Sequence, residues 1–403
     1  MRRSKKQKLL AFAVFGLVLA LTAALGITDF CIPDRISIYQ SGSLPEYIMF
    51  GIKLTDTQTQ STFLENTSLC KTQTSQASWL GMIPIKEIAV NTVSEKKILP
   101  GGTLFGVKLQ TKGPVVIGFS ESENGEKSPA EQAGLRPQDV ITAVGETPIL
   151  SAGAFSQALN QSAGETVVIH YEREGKAGSC NLTPLKRSNG AYHAGLLVRD
   201  STAGIGTITF IDPQTGLFAG LGHGICDSDT GYLLPLGSAD ILDVELIGVQ
   251  KGAAGTPGEL RGSFTKQHIG ALHENTNCGV FGILGKIPTY NDATLLPIGL
   301  RDDIKTGKAY ILSSVDAAKT RNQYEIEIIK IIGGNDNKSF IIHVTDPTLL
   351  EKTGGIVQGM SGSPIIQDGK LVGAITHVLV NDPTKGYGIF IENMLAAEEN
   401  EAA

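Results

Sequence analysis

Apolar residues occur along most of this chain in short, β-branched runs that are separated by Gly, Pro, Asn and Asp. Runs of this length, bounded by turn residues, are typical of β-strands. Clear examples are residues 115–119, 166–172, 204–211, 341–344 and 371–376. The pattern predicts a mainly β protein, with one longer uncharged apolar stretch near the N-terminus.

That stretch, residues 9–28, is long enough to cross a hydrocarbon core of about 30 Å as a helix. The preceding residues 1–8 carry five basic side chains, which predicts a cytoplasmic segment and export of the rest of the chain. A cleavable signal peptide is the alternative, but its apolar region is usually shorter, about 7–15 residues. We therefore expect a retained signal-anchor.

Residues 29–99 carry few signals. Residues 47–54 resemble a strand, whereas the Thr, Gln and Ser residues of 55–76 are typical of a linker or of exposed loops. We expect a juxtamembrane region here.

Residues 100–188 have the succession of elements of a bacterial PDZ domain. A glycine-rich loop leads into strands, followed by a short helix with Ser128 as N-cap, Pro129 at its first position and Gly134 at its end. Residues 152–161 would form the second helix. PDZ domains bind an extended peptide as an added strand, with free loop amides on its carboxylate. We expect that loop at Gly101, Gly102 and Gly106; the alternative is a PDZ domain that only packs against its neighbour.

Residues 189–403 contain the candidate catalytic residues. Ser361 stands between Gly359 and Gly362, so a tight turn can expose its hydroxyl and aim the amides of Gly359 and Ser361 at one point, as an oxyanion hole requires. Asp368 and Gly369 then predict a hairpin. His223, between two glycines at the end of an apolar strand, is suited to act as general base because its unperturbed pKa lies near neutrality.

The third member of a triad is less defined by the pattern. Asp346 ends an apolar strand shortly before Ser361, which gives the order His, Asp, Ser of chymotrypsin with a much shorter Asp-to-Ser spacing. Its alternative role is to start the Asp-Pro turn. Asp227, Asp292 and Asp302 are competitors that spacing does not exclude.

Three segments together resemble the stage IV sporulation protein B peptidase family: residues 203–213, the box 221–227 around His223 and the box 359–364 around Ser361. The resemblance covers nearly the whole chain, from membrane anchor through PDZ module to peptidase. It implies a chymotrypsin-like double β-barrel and a triad whose positions match His223, Asp346 and Ser361. It also implies self-cleavage near the anchor, then cleavage of a regulator of the intramembrane protease that processes pro-sigma-K. The location implied is the space between forespore and mother cell.

Composition changes this picture little. The 403 residues include 48 Gly, 17 Pro and a single Trp, and the net charge is −6 with no basic aromatic cluster for nucleic acid. Five scattered cysteines (Cys31, Cys70, Cys180, Cys226 and Cys278) lack metal-ligand spacing, so we expect buried thiols, with Cys226 in the core, and no metal or organic cofactor.

Two other functions are compatible with a PDZ module. A non-catalytic PDZ scaffold would not need the intact boxes around His223 and Ser361. An envelope quality-control protease would normally place its protease domain before its PDZ domain. We therefore predict a serine endopeptidase with protein substrates, including itself, and contact with the membrane through the N-terminal helix.

Overall fold

The computed structural model describes residues 15–16, 32–42, 52–56, 69–79, 82–95, 97–120, 127–290, 294–316, 320–334 and 336–402. The predicted anchor at 9–28 and the basic segment at 1–8 lie outside this set, apart from residues 15–16. Within the described ranges, no helix combines the length and apolarity that a bilayer span requires. The chain forms two compact units, residues 1–96 with 402–403, and residues 97–401.

The first unit is a four-stranded sheet in the order β1-β4-β3-β2. Its strands are β1 (Arg35–Tyr39), β2 (Ile52–Asp56), β3 (Cys70–Trp79) and β4 (Ile83–Val93). The prediction of a linker or exposed loops at 55–76 is wrong for residues 55–56, which end β2, and for residues 70–76, which pair with β4 along the first part of β3. Residues 57–68 lie outside the described set. Thr residues favour a pleated, half-buried strand, so a polar Thr-rich segment can join a sheet that buries only one face.

The second unit contains the remaining elements. Its strands are β5 (Lys97–Pro100), β6 (Leu104–Phe119), β7 (Val140–Val144), β8 (Thr147–Pro148), β9 (Val167–Arg173), β10 (Lys176–Leu182), β11 (Leu185–Lys186), β12 (Tyr192–His193), β13 (Leu196–Ile211), β14 (Leu217–Gly220), β15 (Leu236–Gln250), β16 (Glu259–Thr276), β17 (Gly279–Leu284), β18 (Leu296–Pro297), β19 (Gly307–Ser313), β20 (Asn322–Ile331), β21 (Phe340–Val344), β22 (Pro364–Gln367), β23 (Lys370–Val378) and β24 (Lys385–Phe390). Its helices are α1 (Pro129–Gln132), α2 (Ala152–Gln161), α3 (Pro347–Thr353) and α4 (Ile391–Ala402), with a 3-10 turn at Arg301–Asp303.

Two six-stranded barrels account for most of these strands. In barrel 1, the pairings run β6-β15-β16-β17-β14-β13 and close through β13 on β6. Its core includes Phe105 and Phe218, whose rings meet edge to face with centroids 5.8 Å apart. Barrel 2 is the closed circuit β19-β20-β21-β24-β23-β22 around its own apolar core. The prediction of a mainly β chain with a double β-barrel is confirmed.

In the sequence, the PDZ module is inserted between two strands of barrel 1, β6 and β13. Strands β6 and β13 pair over almost their whole length, from Leu104 with Thr207 to Phe119 with Leu196. The Leu104 end of this ribbon belongs to barrel 1, and the Phe119 end packs on the PDZ core with β7, β9 and α2. The predicted succession of a PDZ domain at 100–188 and a peptidase from 189 therefore differs from the structure. The first barrel strand precedes the module, which a linear reading cannot detect.

The three glycines predicted to hold a peptide carboxylate lie in barrel 1. The amides of Gly101 and Gly102 donate to the carbonyls of Thr209 and Ile208, and Gly106 pairs with Ile205 in β13. Gly101 and Gly102 thus have no free amide to offer a carboxylate. The prediction of this loop is corrected accordingly.

Several local predictions are met by the geometry. The Ser128 hydroxyl accepts a hydrogen bond from the Glu131 amide at the start of α1, and Pro129 is the first residue of that helix. Helix α2 occupies residues 152–161 as predicted. Asp368 and Gly369, with φ of 51° and 75°, join β22 to β23 as a two-residue hairpin turn of the kind that requires positive φ at both positions.

Candidate active site

The turn that carries Ser361 is pressed against barrel 1. A Cβ on Gly362 would lie 2.0 Å from the Thr207 carbonyl oxygen, and φ at Gly362 is 95°. On the other side, a Cβ on Gly222, just before His223, would lie 2.9 Å from Cγ2 of Thr376 in β23. Only glycine permits such approach. The glycines beside the two predicted catalytic residues are therefore needed to bring the barrels together at this point.

Carbonyl groups throughout the Ser361 turn are hydrogen-bonded. The Gln358 carbonyl accepts from the Leu260 amide of β16, and the Met360 carbonyl from the Ser363 amide. Side-chain hydroxyls of β13 serve two more: Thr207 Oγ1 donates to the Gly359 carbonyl at 2.7 Å and Thr209 Oγ1 to the Gly362 carbonyl at 2.8 Å.

Two amides of the turn are left without a partner. Within the described ranges, neither Gly359 nor Ser361 donates a backbone hydrogen bond, although the intervening Met360 amide donates to the Val357 carbonyl. Unpaired backbone amides in a tight turn are uncommon, because each loses free energy when it is removed from water. Two of them, one residue apart on a turn fixed by its carbonyls, are suited to bind an oxyanion.

His223 is held in one tautomer by its own loop. Its Nδ1 lies 2.9 Å from the Gly224 carbonyl oxygen, which can only accept. Nδ1 therefore carries the proton, and Nε2 keeps the lone pair that a general base needs. Burial lowers the pKa of His223, outweighing the Gly224 hydrogen bond, which raises it. The imidazole is thus neutral at neutral pH.

Asn275 fixes the loop that follows His223. This buried side chain accepts from the Ile225 amide at 2.8 Å and donates to the carbonyls of Ile225 and Leu234. It lies near the end of β16, so the His223 loop is bonded to the wall of barrel 1.

Residues 376–377 of β23 lie between the two candidate residues. The Ser361 hydroxyl donates to the Thr376 carbonyl at 2.8 Å, and the ring of His377 lies with its centroid 5.0 Å from that of His223. Burial, His223 and Lys338 lower the pKa of His377 to about 4. The structure brings Ser361 and His223 to the same site, with the Ser361 hydroxyl hydrogen-bonded to the Thr376 carbonyl of barrel 2.

The structure gives Asp346 a capping role. It is the N-cap of α3: Oδ1 accepts from the amides of Thr348 and Leu349, and Oδ2 from the Glu325 amide. The predicted alternative, that Asp346 starts the Asp-Pro turn, therefore describes its contacts. In the part of the chain that is described, its carboxylate makes no hydrogen bond to His223.

Of the competing acids, Asp227 is the one on the His223 loop. It is buried and ion-paired to Arg199, with 2.7 Å between Oδ2 and Nε, and it also accepts from the Thr230 amide. Burial raises the pKa of Asp227, but the hydrogen bonds from Arg199 and Thr230 outweigh it and lower that pKa. Asp302 is an exposed residue of the 3-10 turn, and Asp292 lies outside the described residues.

Other candidate nucleophiles have different positions. The Ser363 hydroxyl is fully buried and lies 3.2 Å from Ser313 Oγ. Cys226 is exposed, so its predicted place in the core is wrong. The described cysteines are free thiols, and Cys31 is outside the described set. No cluster of three or more metal-ligating side chains occurs among the described residues.

Sequence reasoning missed four residues of this site: Thr207, Thr209, Asn275 and His377. Thr207 and Thr209 are two residues apart in β13, so both side chains point to the same side of the strand. Both are fully buried, and a buried hydroxyl needs a hydrogen-bond partner. The sequence signal for this role is a pair of threonines within the apolar segment 203–213. Asn275 and His377 are not marked by any local pattern.

Comparison with known proteins agrees with this architecture. A PDZ domain family matches residues 123–173. Two curated relatives match over short stretches: a zinc metalloprotease RasP of Shouchella clausii, 47% identical over 60 residues, and a putative zinc metalloprotease of Neisseria meningitidis, 39% identical over 57 residues. The matches cover 15% and 14% of this chain, and 14% and 13% of the relatives' own lengths.

Solved structures with some likeness include a PDZ domain of an SdrC-like protein from Listeria monocytogenes and the Rv3671c protease of M. tuberculosis. The first is 20% identical, covers 22% of this chain and 87% of its own, and has a TM-score of 0.19. The second is 12% identical, covers 49% of this chain and 73% of its own, and has a TM-score of 0.29.

The family model of the SpoIVB peptidase S55 matches residues 190–395, which contain His223, Ser361 and both β13 threonines. This chain belongs to the SpoIVB peptidase S55 family and contains a PDZ domain.

Proposed function

We propose that this protein is a membrane-anchored serine endopeptidase of sporulation. It cleaves itself and then a regulator of the intramembrane protease that processes pro-sigma-K. It acts between the forespore and mother-cell membranes. Family membership supports the sporulation role, and the basic, apolar N-terminus supports the anchor. The observation that carries the peptidase mechanism is the Ser361 turn, with two unpartnered amides beside a hydroxyl and a neutral imidazole.

The reaction begins by moving one hydrogen bond. An extended substrate that donates an amide to the Thr376 carbonyl takes the place of the Ser361 hydroxyl, which then turns to Nε2 of His223. His223 accepts the proton while Ser361 attacks the peptide carbonyl, and the amides of Gly359 and Ser361 bind the oxyanion. His223 then protonates the leaving amine, and water hydrolyses the acyl-enzyme in the same way.

Asp346 is the acid of our proposed triad because it matches the family's triad position. Its present bonds are those of a helix cap, and the Gly224 carbonyl already fixes the His223 tautomer. Contact with the imidazolium would require a change around α3 when substrate binds.

The PDZ module offers a peptide groove at the first half of β13. The Gly195 carbonyl accepts from the Ser120 amide, so by strand alternation the backbone groups of Leu196 face the opposite edge. Within the described residues, no strand pairs with that edge, and helix α2 packs beside it. We propose that an extended segment of a protein substrate binds there by strand addition, instead of at Gly101 to Gly106.

Arg199 connects this groove to the catalytic loop. It lies three residues after Leu196 and bonds Asp227 and Asp229, which follow His223. Both bonds are 2.7 Å long. A peptide that orders the groove edge thus acts on the loop of the general base through one side chain.

The first test concerns the nucleophile. Ser361→Ala should abolish self-processing and peptide cleavage, with an unchanged circular dichroism spectrum. Ser363→Ala is the matched control: its hydroxyl bonds Ser313 in the interior, so we expect activity to persist with a stability loss of about 1 kcal/mol. N-terminal sequencing of the accumulated protein and a fluorogenic peptide assay measure both. An active Ser361→Ala protein would contradict the mechanism.

The second test separates the two roles of Asp346. Asn is as good an N-cap as Asp, but its amide nitrogen cannot accept from the Glu325 amide, so Asp346→Asn should lower the melting temperature only slightly. If Asp346 is the triad acid, kcat should fall by about 10⁴, and this is the result that we expect. Asp227→Asn, which breaks a buried ion pair, should lower the melting temperature more. A near-wild-type rate for Asp346→Asn would leave Asp346 a helix cap alone.

The third test is pH dependence. Because burial lowers the pKa of His223, kcat/KM should persist below the ordinary histidine value of about 6.5 and fall only at lower pH. The free energy of unfolding should also decrease as pH falls from 6.5 towards 4. In this window the histidines of the unfolded chain are protonated, whereas buried His223 and His377 stay neutral in the folded protein because their pKa is lowered. His377→Gln should reduce the slope of melting temperature against pH over this window, while His223 keeps its share; an unchanged slope would contradict the assignment.

The fourth test addresses PDZ control. Extended peptides, tested as a panel, should bind the groove by strand addition and change kcat on a short fluorogenic substrate. Arg199→Gln should retain peptide binding, measured by fluorescence anisotropy, but lose the change in kcat. An equal response in both proteins would exclude this route. Deletion of residues 100–185 is not suitable, because it removes barrel strand β6.

A further inference from the structure

Thr207 is the residue of β13 that touches both catalytic turns. It is fully buried, and it uses three different groups. Its amide donates to the Ser361 carbonyl at 2.9 Å, its Oγ1 donates to the Gly359 carbonyl at 2.7 Å, and its carbonyl accepts from the Leu221 amide at 3.3 Å. Leu221 lies two residues before His223. One residue thus joins the nucleophile turn to the strand end that carries the general base.

The hydroxyl bond is the one of the three that a substitution can remove. The other two use the backbone of β13 and would survive a change of side chain. Thr207 Oγ1 binds the peptide group between Gly359 and Met360, which lies between the two unpartnered amides. If this peptide group rotates, the amides of Gly359 and Ser361 no longer point to one place.

We propose that Thr207 is a positioning residue whose hydroxyl holds the oxyanion hole in its active geometry. The proposal rests on the proposed serine-peptidase function of Ser361. It predicts that Thr207 contributes to the binding of a tetrahedral, negatively charged species and little to the binding of the uncleaved substrate. Removal of one direct oxyanion donor costs about 10²–10³ in kcat, so loosening two donors together should give a loss in the same range.

The test compares three variants. Thr207→Val keeps the size and β-branching of the side chain but removes the donor, leaving the half-buried Gly359 carbonyl without its hydrogen bond. We expect kcat to fall by about 100-fold with KM within threefold of wild type. Thr207→Ser restores the hydroxyl and should recover most of kcat. Thr209→Val removes the bond to the Gly362 carbonyl, beyond the hole, and should cost about tenfold or less.

An inhibitor series gives the readout that a general packing defect would not produce. A peptide boronate becomes tetrahedral and anionic on Ser361, whereas the product peptide with the same side chains does not. For Thr207→Val, the boronate inhibition constant should rise in parallel with the fall in kcat/KM, and the product constant should stay unchanged. If the boronate and the product peptide are weakened equally in Thr207→Val, the proposal is wrong. It is also wrong if Thr207→Val and Thr207→Ser both lose the melting transition.

The outcome for Ser361→Ala separates this inference from the proposed function. If Ser361→Ala is inactive and Thr207→Val keeps full kcat, the peptidase mechanism stands and the role of Thr207 is wrong. If Ser361→Ala remains active, the proposed function and the role of Thr207 are both wrong.

Discussion

The active site depends on how the peptide groups of one turn are satisfied. From Gln358 to Gly362, every carbonyl accepts a hydrogen bond, whereas the amides of Gly359 and Ser361 donate none among the described residues. A short turn cannot supply that many donors from its own residues, so β13 and β16 provide them from barrel 1. An unpaired buried carbonyl would cost about 1–3 kcal/mol, which makes the docked arrangement of the barrels a condition for the turn. The catalytic geometry is thus a property of the pair of barrels and of neither alone.

The PDZ module is inserted in the sequence between two strands of barrel 1, one of which supports the Ser361 turn. Strands β6 and β13 are each 16 residues long and pair with each other, so their far ends project from the barrel as a ribbon. A domain built on that ribbon shares backbone with the strand that holds the Ser361 turn. Arg199 adds a side-chain link from this ribbon to the His223 loop. The control by a peptide that we propose would therefore need no separate hinge, because the groove edge and the support of the Ser361 turn belong to one strand.

Local features of this chain were predictable from sequence and distant pairings were not. The cap at Ser128, helix α2 and the Asp368–Gly369 turn depend on neighbours within a few residues, and all were predicted. The prediction for Gly101 to Gly106 failed because a glycine-rich segment before a strand is the same pattern in a PDZ loop and in a barrel. The Thr-rich strand β3 was missed because its composition is also that of a linker. His223 and Ser361 could be proposed from sequence because glycines frame them. Asn275 and Thr207 act through partners that are distant in sequence, such as Ile225 for Asn275 and Gly359 for Thr207.

The two imidazoles show why this site is at rest without substrate. Ser361 donates to a carbonyl of β23 and not to His223, and His223 is neutral because its surroundings disfavour a charged ring. His377, packed against it with a pKa of about 4, adds no charge at neutral pH that would oppose protonation of His223. The base can therefore accept a proton once the hydroxyl turns to it. In the mechanism that we propose, the hydroxyl is released only when another donor takes the Thr376 carbonyl, so we expect a backbone amide of the bound peptide to turn Ser361 towards His223.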